Sequence, residues 1–310
     1  MATLTRPTAP PAIRGGGAST SYRRRGSYML FAVPAVIVIL TVIVFPWAFT
    51  LFMSLHDWNV AGTRTFIGLD NFKTLASNDR FLESIVHTFY FTVLAVVLPV
   101  IVGIGAALVF HREFPWRGVL RAVFIMPMMA TPVAIALVWQ MMYHPQLGVL
   151  NYLLSLIGIP PQLWATSPDT VIPALVLIEV WHWTPLVMLI VLGGLASLPT
   201  EPYESALIDG ATEWQMFRHI TWPLVLPFVM VAVVIRTIDA LKAFDTIFVI
   251  TQGGPGTASE TINVYLYLQA FAFYNIGHAS AVVVVFFAII VALSLLLLWM
   301  RQRAQWNMQS

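Results

Sequence analysis

Glu201-Pro-Tyr-Glu-Ser-Ala-Leu-Ile-Asp-Gly-Ala-Thr-Glu-Trp-Gln-Met-Phe-Arg-His-Ile-Thr-Trp-Pro223 is a polar, acid-bearing segment set between two apolar stretches, each long enough to cross a bilayer. Its spacing predicts two short helices joined by a glycine elbow. Thr200 is placed to cap the first, Glu201 sits favourably in its first turn, and Pro202 is tolerated there because the first N–H groups of a helix have no internal partner. Asp209-Gly210 ends that helix. Thr212-Glu-Trp-Gln215 is a capping box that opens the second, with each of its two outer side chains satisfying a backbone N–H of the other. This second helix carries Trp214, Phe217 and Arg218 toward Pro223, where a membrane helix is expected to restart. On an ordinary connecting loop Trp214, Met216 and Phe217 would face only water, so the segment is expected to dock on a partner.

The flanking sequence sets the class. Of 310 residues, 59% are hydrophobic and 10% charged, whereas soluble domains carry about 25% charged residues. A hydrocarbon core of about 30 Å needs about 20 helical residues. Apolar runs of that order cover residues 28–55, 84–110, 119–143, 171–195, 223–241 and 279–300. The expected fold is therefore an all-α polytopic membrane protein with about six transmembrane helices. Arg236 and Asp239 interrupt the fifth run. A formal charge of +2 is too small to suggest nucleic acid as a partner, and the basic residues gather at span edges, against membrane lipid. There are no cysteines, which excludes disulfides and thiolate metal ligands.

With the N-terminus inside, eleven of the sixteen Lys and Arg fall on cytosolic segments; Arg64, Lys73, Arg80 and Lys242 fall outside, and Arg236 lies within a span. That bias places both termini and the 200–222 loop in the cytosol. Residues 1–22, rich in Pro, Gly, Ser, Thr and Ala, read as a disordered cytosolic tail ahead of a membrane domain over 23–310. Arg23-Arg24-Arg25 before an apolar stretch resembles the start of a signal peptide. At about 27 residues the stretch is far longer than a cleavable apolar region of about 7–15, so it reads as a first membrane helix.

Glu204-Ser-Ala-Leu-Ile-Asp-Gly-Ala211, followed by Phe217, Ile220, Pro223 and Pro227, resembles the cytosolic loop signature of binding-protein-dependent importer permeases, the membrane subunits of ATP-binding-cassette transporters. Phe244-Asp-Thr-Ile-Phe-Val-Ile-Thr-Gln-Gly-Gly-Pro255 resembles a segment of their carbohydrate-uptake branch, the maltose, trehalose and glycerol-phosphate class. Ser205 stands where alanine is usual and Trp222 where leucine is usual. The resemblance implies the ABC importer type I permease fold in a bacterial inner membrane. It also implies that Glu204, Ser205, Ala206, Asp209, Gly210, Ala211, Trp214, Phe217 and Ile220 couple the chain to an ATPase subunit. The implied partners are a second permease subunit, two ATP-binding subunits and an external solute-binding protein. The chain has no Gly-x-x-x-x-Gly-Lys-Ser/Thr loop, so ATP and Mg are expected on the partner subunits, with no cofactor and no catalytic site in this chain.

Ionisable groups at bilayer depth cost about 3 kcal/mol each unless paired or wetted, so each is a candidate site. Arg236, Asp239, Lys242 and Asp245 recur every third residue with alternating sign, close enough on a helix for neighbours to pair. One reading is a structural ladder; the other puts Arg236 on a solute pathway. Alignment to maltose-type permeases matches Arg236, Ala240 and Ala243 to polar solute contacts, and two of these three being alanine argues against maltose itself. Glu179, His182, Trp183 and Leu186 share one face of the fourth span, where carboxylate, imidazole and indole suit the hydroxyls and C–H face of a sugar. The candidate solute site is thus Glu179, His182, Trp183, Leu186, Arg236, Asp239, Ala240 and Ala243. Trp139, Gln140 and Tyr143 read as interfacial anchors or as a border of that site, Pro127 and Pro132 as kinks, and Met126, Met128 and Met129 as packing. Glu179-x-x-His182 is half a di-iron motif without its second half. Two other classes are weighed: an ion-coupled secondary transporter or channel using the Arg236/Asp239 ladder, and an intramembrane enzyme built on Glu179 and His182.

Overall fold

A computed structural model describes residues 31–60 and 62–306. The start of the first expected span at Tyr28, Arg23-Arg24-Arg25 and the 1–22 tail lie outside the described residues. The chain divides after Phe49 into two units. Helix α1 (Phe31–Ser54) is apolar along its whole length and its side chains are largely exposed, as suits a helix solvated by lipid.

The following segment pairs β1 (His56–Asp57) with β2 (Thr65–Phe66) and forms the short α2 (Asp70–Ala76). Helix α3 (Asp79–His111) starts where the Asn78 side chain accepts the Phe81 N–H at 3.0 Å. Then come α4 (Arg117–Ile125), α5 (Pro132–Met142), α6 (Val149–Leu156) and α7 (Pro168–Ala196). The remaining helices are α8 (Glu201–Ile208), α9 (Glu213–Leu241), α10 (Asp245–Thr251), α11 (Ile262–Tyr267) and α12 (Ile276–Trp306).

Helices α3, α7 and α9 pack on one another, and their contact surfaces hold the main apolar core, with Phe91, Ala95, Ile178, Val187 and Ala232 at its centre. Little apolar driving force separates helix from lipid, so close backbone approach carries much of the packing. At Gly103 a Cβ would lie 2.7 Å from the Val187 Cβ, so a glycine is what lets α3 rest this near α7. A second cluster, with Phe81, Leu241, Tyr265 and Val282, joins α3, α9, α11 and α12. Beside it Arg80 grips the buried Glu260 carboxylate in a fork, Nε to Oε1 at 3.0 Å and Nη2 to Oε2 at 2.8 Å.

Among the described residues five helices are long and apolar enough to cross a membrane, and six if the bent pair of α4 and α5 is one span. The third apolar run is therefore not a kinked helix. Its two halves meet at 98°. Pro127 lies in a 3₁₀ turn, Met126–Met129, and Pro132 opens α5 after an extended Thr131, the conformation that a following proline imposes. Met126 and Met129 do not pack within the chain: they are 62% and 79% exposed. The fifth span also departs from expectation. It does not restart at Pro223 but runs unbroken from Glu213, because a wider π turn at Phe217–Thr221 accommodates the proline inside the helix.

Candidate functional site

Helices α7 and α9 bring Glu179, His182, Trp183, Arg236 and Asp239 to a cavity of about 280 Å³, which Pro132 of α5 also lines. Helix α9 ends at Leu241, and Lys242, Ala243, Phe244, Asp245 and Thr246 beyond it also line the cavity. Arg236 is fully buried. Its Nη2 donates to Glu179 Oε2 at 3.0 Å and to the Ala95 carbonyl of α3 at 3.2 Å, tying three helices at one point. The Trp183 ring lies 4.9 Å from the guanidinium carbon and 4.5 Å from the His182 ring. The cation therefore rests on an aromatic face, an arrangement that holds both polar groups in place.

The alternating ladder expected along α9 is not formed as such. Arg236 pairs across to Glu179, Lys242 stands 4.0 Å from Asp239, and Asp245 sits on α10 without an ion pair among the described residues. A buried guanidinium takes the carboxylate that is buried with it, since desolvated charges gain more from each other than from an exposed neighbour. Ala240 is buried behind the cavity and Leu186 is half-buried beyond its lining. Phe244 and Thr246 were missed as lining residues, although both stand in the Phe244–Pro255 stretch already singled out, and Pro132, read only as a kink, lines the cavity too. Trp139 and Tyr143 neither anchor at an interface nor border this cavity. Both are buried against α7, with the Tyr143 hydroxyl donating to the Ala174 carbonyl at 2.7 Å, and Trp139 borders a separate apolar cavity of about 410 Å³ with Trp181.

The polar elbow is built as its sequence suggests. Gly210 adopts φ +74°, the left-handed conformation that ends α8. The capping box is complete: Gln215 N–H donates to Thr212 Oγ1 at 3.3 Å and Thr212 N–H to Gln215 Oε1 at 2.7 Å. Thr200, by contrast, makes no side-chain cap, because its backbone is already helical. Glu204, Ser205, Asp209, Gly210 and Trp214 are exposed; Ala206, Ala211, Phe217 and Ile220 are half-buried. Leu207 and Ile208 are exposed too, at 62% and 87%. A hydrogen bond of 3.0 Å between the Tyr203 and Thr221 hydroxyls fastens α8 to α9. Behind the elbow, a cavity of about 870 Å³ reaches the ends of α3 and α7.

One helix thus holds both places: α9 carries Trp214 and Phe217 at one end and Arg236 and Asp239 near the other. Residues 99–305 match the family described as the binding-protein-dependent transport system inner membrane component. The chain is 36% identical over 281 residues to the trehalose/maltose transport system permease protein MalF of Thermococcus litoralis, covering 89% of this chain and 94% of that one. It is 31% identical to the sulfoquinovosyl glycerol transport system permease protein SmoG of Agrobacterium fabrum, covering 84% and 85%. Its fold superposes with a TM-score of 0.77 on a chain of a bacterial ABC transporter that imports the acidic polysaccharide alginate, at 23% identity and covering 91% and 96%. The chain belongs to the binding-protein-dependent inner membrane permeases of ABC importers, and it is a multi-pass inner-membrane protein.

Proposed function

We propose that the chain is one of two permease subunits of an ATP-driven importer for a sugar, polyol or glycosylated small molecule. The observation that carries this reading is the continuity of α9 from the elbow to the charged cavity. Trp214 and Arg236 are about 33 Å apart along it at 1.5 Å per residue. A force applied at the elbow reaches the cavity through a single continuous helix. Two partner ATPases bind ATP and Mg, and their closure acts on Glu204 to Ile220. An external binding protein delivers the solute, which occupies the cavity while the bundle alternates its access. The carbohydrate class is supported by the relatives, whose names specify trehalose or maltose, sulfoquinovosyl glycerol and starch degradation products. It is supported also by the cavity, where carboxylate, guanidinium and imidazole stand beside an indole face. In this reading the bent pair of α4 and α5 counts as one of six crossings, and with the elbow facing the ATPases both termini are cytosolic.

In the reconstituted importer, Glu204→Lys and Gly210→Pro are expected to leave binding-protein docking intact while solute uptake falls to background. Proline cannot adopt the φ of +74° found at Gly210. Undiminished uptake in both variants would remove the coupling role.

A further inference from the structure

We infer that Arg236 forms a subsite for an anionic group on the solute, a carboxylate or a sulfonate, with His182 beside it; this rests on the cavity being the solute site proposed above. Arg236 has no exposed surface, yet only its Nη2 is used, by Glu179 Oε2 and the Ala95 carbonyl. Nε and Nη1 are buried and have no hydrogen-bond partner among the described residues. A guanidinium presents five donors in a fork suited to two oxygens of one acid, and a contact through one nitrogen leaves most of that capacity open. The open capacity on Arg236 consists of donors on a permanent cation, so the group that completes it is rich in acceptors. His182 is 2% exposed and its Nε2 is likewise unpartnered, giving a second polar contact whose role follows its tautomer.

The carboxylates nearby do not fill this role. Glu179 reaches Arg236 with one oxygen, Asp239 stands 4.0 Å from Lys242, and Asp245 is exposed at the cavity edge. Trp183, which carries the guanidinium against its ring, is only half-buried and lines the same cavity, so the indole surface left uncovered can meet the ring bearing the acid. Glu179 then serves as the resting partner of Arg236, in competition with the solute's acidic group.

The test uses the assembled importer in lipid nanodiscs, with both permeases and both ATPases but without the binding protein, so that delivery does not mask the cavity's own preference. Three hexoses differing at one carbon serve as probes: glucose, glucuronate and sulfoquinovose. We expect the two acidic probes to bind about tenfold or more tighter than glucose. Glu179→Gln, which removes the competing charge, should widen that gap. The double variant Glu179→Gln/Arg236→Gln, which leaves no buried unpaired carboxylate, should bring the acidic probes to the level of glucose. Equal binding of the three probes by the unmodified importer, a gap narrowed by Glu179→Gln, or an acidic preference that survives in the double variant would overturn the subsite and leave the sugar reading standing. Failure of every form to bind any of the three would overturn the sugar reading and the subsite with it.

Discussion

Arg236 and Glu179 sit together at the contact of α3, α7 and α9, with their side chains only 1% and 6% exposed. Each charge lowers the cost of burying the other, so replacing one partner by an apolar side chain that cannot hydrogen-bond the other costs more than the pair contributes. Arg236→Met is expected to destabilise the bundle by about 3–5 kcal/mol, read as a lowered Tm in detergent, and adding Glu179→Leu to it should recover most of that loss. A double variant no more stable than the single one would show that the ion pair is not what the site depends on. The residue types at this site were legible in the sequence, because ionisable groups inside an apolar run stand out. Their partners were not. The three-residue spacing pointed from Arg236 to Asp239, whereas the actual partner lies 57 positions away on another helix and was selected by burial.

At the level of single helices, local chemistry was the readable part. The Thr212/Gln215 box and the Gly210 bend depend on residues within a few positions of each other, and both are present. Thr212→Ala is expected to weaken the start of α9 by about 1 kcal/mol, seen as faster amide exchange over its first turn with the rest of the helix unchanged. What followed the box was harder to read. Pro223 is an ordinary helix boundary, and nothing in the sequence marks the π turn that carries α9 through it. The two prolines of the third run likewise announced a bend but not its size; a turn of 98° required Ala130 and Thr131 both to become extended. Packing between elements depends on Gly103, where a leucine would push α3 away from α7. Gly103→Leu is expected to cost about 1–3 kcal/mol and to lower the Tm accordingly. An unchanged Tm would mean that the two helices separate without loss.

Across the described residues, exposed apolar surface is extensive. Most of it belongs to helices long enough to cross a bilayer, where lipid covers it. A separate patch lies on the elbow, where Leu207 and Ile208 of the short, polar α8 are 62% and 87% exposed and Trp214, in the first turn of α9, is 66% exposed. Six apolar runs and one polar elbow were enough to read the architecture, because bilayer thickness fixes span length directly. The cavity was only half legible, since Lys242, Phe244, Asp245 and Thr246 reach it from beyond the end of α9, a placement that no periodicity encodes. If α9 transmits force from a nucleotide-hydrolysing partner, the elbow must be covered by that partner. The chain contains no cysteine, so Ile208→Cys gives a single thiol on it at the most exposed point of the elbow. We expect a soluble maleimide to label Ile208→Cys rapidly in the permease pair alone and at least about tenfold more slowly once the ATPase subunits are bound. Labelling at the same rate in both would contradict the coupling of this elbow to ATP hydrolysis.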